Sequence, residues 1–207
     1  MVRNDRTQGE EIALIPVPVL LKAYRNGLFP MAHDDGELYW HDPDPRAIFP
    51  LEELVPDTRT ARHLRSPEIR ITIDKAFGTV IEACSDRSET WIDPRIIGSY
   101  VELHRAGHAH SVEVWRNDEL VGGIYGVSIG GAFFGESMFN RRNNMGKVAF
   151  HALVEHLRSN GFELFDTQYL NPFTEKLGAI EIPRNRYLEL LALAIEKHVE
   201  FRSGPKA

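Results

Sequence analysis

The chain has 207 residues, a formal net charge of −6, and 43% hydrophobic and 26% charged residues, proportions that exclude a disordered or fibrous protein. Its apolar runs, such as residues 15–21, are far shorter than the roughly 20 residues of a membrane-spanning helix. The single cysteine, Cys84, excludes a disulfide framework and a cysteine-based zinc site, and we expect it to be a buried thiol. The charged segment 1–11 has no apolar signal core, so we expect a cytoplasmic protein without membrane association.

Prolines concentrate near the amino terminus, where six of the twelve fall between residues 16 and 50. This pattern predicts a small, turn-rich N-terminal α/β domain over residues 1–56, with short strands and one helix at 20–27. We expect a larger domain over residues 57–207.

Hydrophobic periodicity after residue 57 predicts alternating helices and strands. Helices are predicted at 58–64, 75–84, 94–106, 147–160 and 186–201, and strands at 70–74, 110–117, 119–128, 132–137 and 163–169. A three-stranded meander followed by a helix and another strand is typical of an α+β fold, in which helices pack on a mixed sheet. This layout is acetyltransferase (GNAT)-like, but a fold alone does not identify a substrate.

Two strands carry polar residues where apolar ones are expected. Glu136 lies near the end of the apolar run FFGESMF, and a carboxylate buried there needs a partner. In the run LFDTQ, Asp166 and Gln168 share one face because side chains alternate along a strand. We interpret these residues as a polar site on the sheet, although an exposed Glu136 and a solvated sheet face are the simpler alternatives.

Two basic segments suggest contacts with anions. Arg59, Arg62 and Arg65 are three residues apart and share one helical face, which is either an ordinary solvated surface or a stripe that contacts RNA phosphates. The turn at 140–147 precedes a helix and carries the cations Arg141, Arg142 and Lys147. The loop in this turn is one residue longer than the one that binds pyrophosphate in acyl-CoA enzymes, and a solvated basic turn is the alternative.

Ten short motifs, in order, resemble one family. They are AYRNGLFPM at 23–31, PDPR at 43–46, IFPL at 48–51, TWI at 90–92, AHSVEVW at 109–115, LVGGIYGV at 120–127, FFGESMF at 133–139, FDTQ at 165–168, LGA at 177–179 and IPR at 182–184. On these motifs the sequence resembles the leucyl/phenylalanyl-tRNA–protein transferases.

The resemblance implies an aminoacyltransferase that moves leucine, phenylalanine or methionine from aminoacyl-tRNA to the N-terminal Arg or Lys of a protein. The product is marked for degradation by the N-end rule pathway. No cofactor or metal is implied, and we expect a monomer. The alternatives are an acyl-CoA-dependent N-acetyltransferase and a non-catalytic RNA-binding module.

The resemblance also implies roles for particular residues. Asp166 and Gln168 act as the relay that receives or polarises the amine proton, and Glu136 holds a positively charged group. Other expected contacts are an apolar slot for the transferred side chain (Met138, Phe150, Leu153), stacking on the terminal adenosine (Trp40, Trp91) and binding of the tRNA stem (Arg59, Arg62, Arg65).

Overall fold

The computed structural model describes residues 12–201, so the charged segment 1–11 lies outside the described residues. The first elements are a helix, α1 (Val17–Arg25), and a two-stranded antiparallel sheet of β1 (Phe29–Ala32) and β2 (Leu38–His41). Helix α1 begins beside two prolines and stops before Gly27, whose φ of +78° ends the helical path. The predicted helix at 20–27 is therefore present, starting and ending slightly earlier.

Seven further strands form one large sheet. They are β3 (Arg46–Phe49), β4 (Ile69–Ile73), β5 (Ala109–Arg116), β6 (Glu119–Ile129), β7 (Ala132–Asn140), β8 (Leu164–Gln168) and β9 (Ile180–Ile182). Their spatial order is β4-β5-β6-β7-β8-β3-β9. The β7–β8 pair is parallel and the other pairs are antiparallel, which confirms the predicted mixed sheet and α+β class.

Six further helices surround this sheet. They are α2 (Thr58–Leu64), α3 (Phe77–Ser85), α4 (Pro94–Arg105), α5 (Met145–Asn160), α6 (Pro172–Lys176) and α7 (Arg184–Ile195). Asp57 and Asp93 cap α2 and α4 by accepting hydrogen bonds from backbone N–H groups. The prediction that the last helix extends to residue 201 was wrong, because α7 ends at Ile195. The chain beyond it leaves the helical path and buries Phe201 against His110, Phe133 and Phe162.

Apolar side chains fill both faces of the large sheet. One cluster joins the sheet to α1, α3, α4 and α7, and the other joins it mainly to α5. Cys84 belongs to the first cluster and is buried, as expected. Within residues 12–201, no helix combines the length and apolar character needed to cross a membrane.

Strand β3 connects the amino-terminal segment to the large sheet. It lies between β8 and β9 and pairs with both. The domain boundary expected after residue 56 stays a prediction, and β3, on its amino-terminal side, is an integral strand of the sheet.

Candidate active site

The site begins where two neighbouring strands separate. The parallel pairing of β7 with β8 ends at Phe134 and Asp166, although β7 continues to Asn140. Strand β7 contains a β-bulge against β6. The consecutive β6 residues Tyr125 and Gly126 lie opposite Ser137 and Gly135 of β7, so Glu136 is an extra residue without a partner on β6. A Cβ atom at Gly126 would lie 2.2 Å from the carbonyl oxygen of Phe134, so this arrangement requires glycine.

A cavity of about 400 Å³ occupies the gap between the strands. Apolar side chains, among them Phe49, Ile124 and Phe165, form part of its wall. Three of the predicted site residues, Trp91, Glu136 and Met138, also line the cavity. The separated strands therefore produce a pocket with both an apolar wall and a carboxyl group.

Glu136 is buried in a cluster of hydroxyl and amide groups. Its Oε1 accepts hydrogen bonds from the Tyr24 hydroxyl at 2.7 Å and from Gln168 Nε2 at 3.0 Å. The Tyr100 hydroxyl lies 3.4 Å from Oε2 and also contacts the Tyr24 hydroxyl. Burial raises the pKa of Glu136 to about 8, even though the hydrogen bond from Tyr24 opposes this shift. The carboxyl group is therefore poised between its neutral and charged forms near neutral pH.

Asp166 lies on the adjacent strand, and all of its hydrogen-bonding capacity is used. Its Oδ1 accepts from Arg46 Nε and from the Gln168 backbone N–H, both at 2.9 Å. Its Oδ2 accepts from Arg46 Nη2 at 2.6 Å and from the Tyr187 hydroxyl at 2.7 Å. A carboxylate has about four lone-pair sites, so Asp166 is saturated by groups of the protein itself.

Gln168 connects the two carboxyl groups. Its backbone binds Asp166 and its side-chain amide binds Glu136. Its φ is +62°, in the left-handed region, and the bond from its N–H to Asp166 holds this uncommon conformation. No described residue donates a hydrogen bond to Gln168 Oε1. Gln168 is buried and, like Asp166, does not line the cavity, but its side-chain amide contacts Glu136 of the cavity wall.

The structure does not bring every predicted residue to the cavity. Trp40 lies on β2, is 43% exposed and is not part of the cavity wall. Phe150 and Leu153 are completely buried in α5. The Phe150 ring packs against Phe49 and Phe165 with centroid distances of 4.7 and 5.8 Å. Phe150 therefore supports the apolar wall from behind.

The predicted basic residues are placed on the surface. Arg59, Arg62 and Arg65 are exposed and together line a shallow concavity at α2, so the predicted common face is confirmed. Arg142, in the turn before α5, pairs with Glu119 at 2.6 Å, and Lys147, in the first turn of α5, pairs with Asp57 at 3.7 Å.

Sequence reasoning missed the groups that hold the predicted carboxylates. Arg46, Tyr24, Tyr100 and Tyr187 are completely buried, and each contacts Glu136 or Asp166. The signal that was present is Arg46 itself, because an arginine that opens the apolar strand RAIF needs a buried partner. The tyrosines occupy apolar positions of helices and could not be distinguished from core residues.

Comparison with known proteins identifies the family. The model of the leucyl/phenylalanyl-tRNA protein transferases matches residues 48–192, and the model of their N-terminal domain matches residues 15–44. The chain belongs to the leucyl/phenylalanyl-tRNA protein transferase family.

Individual relatives agree with this family assignment. A leucyl/phenylalanyl-tRNA–protein transferase from Cereibacter sphaeroides is 50% identical over 185 residues, which are 88% of this chain and 86% of the relative. One from Chlorobium limicola is 48% identical over 193 residues, covering 91% of this chain and all of the relative. Among solved structures, a GCN5-related N-acetyltransferase from Kribbella flavida gives a TM-score of 0.43 at 13% identity, over 79% of this chain and 59% of that one.

Proposed function

We propose that this protein is an aminoacyltransferase that moves leucine, phenylalanine or methionine from aminoacyl-tRNA to the N-terminal Arg or Lys of a protein. The modified protein is then degraded by the N-end rule pathway. We assign the reaction to the cytoplasm and to a monomeric protein. The observation that carries this proposal is the chain of contacts from Asp166 through Gln168 to Glu136 beside a half-apolar cavity, in a member of this family.

The chemistry requires positioning more than covalent catalysis. The ester that joins an amino acid to tRNA is already activated, so the acceptor amine attacks its carbonyl carbon directly. A C–N bond forms, the ester C–O bond breaks, and the amine proton is passed on to the ribose oxygen, which leaves as a hydroxyl group. The protein must hold both substrates and provide a polar group for the amine proton.

We assign Gln168 to the amine. Its Oε1, which accepts no hydrogen bond from a described residue, is the acceptor for an N–H of the attacking amino group. An α-amine has a pKa near 8, so part of it is uncharged and able to attack near neutral pH. Asp166 acts through Gln168, because its own oxygens are occupied and its contact with the Gln168 N–H fixes the residue. Of the two predicted roles, receiving the amine proton or polarising it, this arrangement favours polarisation of the amine by Gln168.

Glu136 is assigned to a positively charged amino group in the cavity. A cation beside a buried carboxyl favours its charged form and lowers its pKa. Binding of an ammonium group is therefore coupled to release of the proton from Glu136, whose pKa is about 8. Substrate binding should accordingly become stronger as pH rises towards 8.

The remaining predicted contacts divide between the cavity and the surface. Met138 lies on the cavity wall and contacts the transferred side chain, while Phe150 and Leu153 act only as support for that wall. Trp91, on the cavity wall, is assigned to stacking on the terminal adenosine. Trp40 is exposed and lies outside the cavity, so any contact it makes with the tRNA is outside the cavity. The stem of the tRNA is assigned to the exposed arginines at α2 (Arg59, Arg62, Arg65).

Single-turnover transfer of labelled Leu, Phe and Met from their tRNAs tests the proposal. Two peptides that differ only in an N-terminal Lys or Glu serve as acceptors, and acetyl-CoA with the Lys peptide is the control for an acetyltransferase. We expect transfer from aminoacyl-tRNA to the Lys peptide. No transfer from any of the three tRNAs, or acetylation of the peptide, would contradict the proposal.

A further inference from the structure

A second cavity, of about 310 Å³, adjoins the active-site cavity. The two share Arg87, Met138 and Asn140 in their walls, so they form neighbouring parts of one depression. The second cavity lies between the end of α3 and the end of β7, and Arg141 forms part of its far wall. A ligand that fills the active-site cavity can therefore extend past Arg87 towards Arg141.

The two arginines of this cavity are held by neutral groups. Arg87 donates from Nε to the Cys84 carbonyl oxygen at 2.8 Å and from Nη2 to the Ser137 hydroxyl. Arg141 Nη1 donates to the Leu120 carbonyl oxygen at 3.3 Å, and its guanidinium lies 5.6 Å from the centre of the Phe139 ring. These contacts orient both side chains and leave further N–H donors unused.

Neither arginine forms an ion pair with a residue in the described part of the chain. Among residues 12–201, no carboxylate lies within 4.0 Å of the guanidinium of Arg87 or Arg141, and Asp86, which also lines this cavity, pairs with neither. The next residue, Arg142, forms an ion pair with Glu119. The two oriented guanidinium groups outnumber the single carboxylate in this concavity, which therefore attracts an anion and repels the cationic amino terminus of an acceptor.

The chemistry of the donor supplies one anion at this place. An amino acid on tRNA is esterified to the last nucleotide, and one phosphodiester joins that nucleotide to the preceding one. Guanidinium groups bind phosphate oxygens through paired, charge-assisted hydrogen bonds. If the terminal nucleotide occupies the active-site cavity, its phosphodiester extends into the adjoining cavity.

We infer that Arg87 and Arg141 form a subsite for the phosphodiester that precedes the aminoacylated nucleotide of the donor. This inference rests on the proposed function. The subsite differs from the arginines at α2, because it adjoins the reacting groups and acts on the single-stranded end of the donor.

Short donors with and without this phosphate provide the test. Transfer is measured from aminoacylated adenosine, which lacks the phosphodiester, and from the aminoacylated dinucleotide CpA, which contains it. The readout is the ratio of kcat/KM for the two donors. We expect the wild-type protein to prefer the dinucleotide, and Arg141→Gln to reduce this preference by about tenfold, the effect of losing a hydrogen bond to a charged group. Arg87→Gln is expected to act in the same direction.

Arg142→Gln is the matched control, because it removes the neighbouring arginine that is already paired, and its donor ratio should equal that of the wild type. Thermal unfolding confirms that each variant is folded. An unchanged donor ratio in Arg141→Gln, or an equal effect of Arg142→Gln, would overturn the inference.

Binding separates this inference from the proposed function. Calorimetric titration with CpA and with adenosine, neither carrying an amino acid, measures the subsite without transfer. Loss of the CpA preference in Arg141→Gln supports the subsite even if no transfer is detected. Transfer with an unchanged CpA preference supports the proposed function and contradicts the subsite.

Discussion

Arg46 and Asp166 form an ion pair in which both side chains are completely buried, and two N–H···O contacts join them. The guanidinium also donates to the Gly27 carbonyl oxygen at 2.8 Å and lies against the rings of Phe29 and Tyr187, at 4.9 and 4.4 Å from their centroids. Burial of two charges is costly unless they are paired and hydrogen-bonded. Here all the acceptor sites of Asp166 are used, and Arg46 donates four hydrogen bonds from its five N–H groups. The pair therefore holds β3 and β8 in one fixed relation beside the cavity.

Removal of one member of this pair should destabilise the protein strongly. Arg46→Met leaves the Asp166 carboxylate buried without its counter-charge, and we expect a loss of about 3–5 kcal/mol in the free energy of unfolding. Urea denaturation measures the loss. Arg116→Met is the control, because Arg116 and Glu68 form an exposed pair whose removal should cost less than about 1 kcal/mol. Equal losses in the two variants would show that the buried pair stabilises the protein no more than the exposed pair does.

Gln168→Ala should slow transfer without weakening tRNA binding. The variant removes the side-chain amide and its contact with Glu136, and a lost proton-transfer group typically costs about 10²–10⁴ in rate. Single-turnover transfer at saturating donor measures the effect. Asp166→Asn should act in the same direction, but it also disturbs Arg46, so it requires a parallel stability measurement. Weak tRNA binding with an unaltered rate at saturation would contradict the assignment.

The stability of the protein should fall as pH rises because of Glu136. Its pKa is about 8 when folded, against an ordinary value of 4.5, so the folded state binds the proton more tightly than the unfolded state. The resulting stabilisation is complete below about pH 4.5 and is lost as pH approaches 8. Urea denaturation at pH 5.5 and 8.5 should show a smaller decrease in Glu136→Gln than in the wild type. The same decrease in stability in both proteins would show that a group other than Glu136 causes the pH dependence.

Salt should weaken tRNA binding, and the arginines at α2 should account for part of this dependence. Each phosphate contact contributes about 0.7–0.9 to the slope of log K against log salt. The triple variant Arg59→Gln, Arg62→Gln, Arg65→Gln is therefore expected to reduce the slope by about 2. Binding measured between low and moderate salt checks this. Arg116→Gln, which removes an exposed but paired arginine, should leave the slope unchanged.

Local sequence signals predicted the regular elements well. Helix α2 has the bounds expected from its sequence, because an aspartate cap and a short periodic segment define it. Such features depend on neighbouring residues alone. Asp166 and Gln168 do belong to one polar cluster, as predicted. Strand β8 is not regular there, however, because Gln168 has a left-handed φ and the register against β3 shifts beside it.

The surroundings of Glu136 could not be predicted in the same way. Phe134 and Phe139 both pack in the first apolar cluster although they are five residues apart, which strict alternation along a strand does not allow. The bulge at Glu136 reverses which face of the sheet the following side chains occupy. It depends on the pairing of β7 with β6, which the local sequence does not show. The burial of Arg46 was equally inaccessible, because its partner Asp166 is 120 residues away in the sequence.

The position of β3 also has a consequence for the order in which the protein forms on the ribosome. The two strands that flank β3 come from residues 164–168 and 180–182, so its apolar residues are made long before their partners exist. Until then Arg46 has no carboxylate, and the polar chain that leads to Glu136 is incomplete. A nascent protein that has emerged only as far as β7 therefore carries β3 without either of its flanking strands, and the polar cluster of the site can form only after residues 164–168 have emerged.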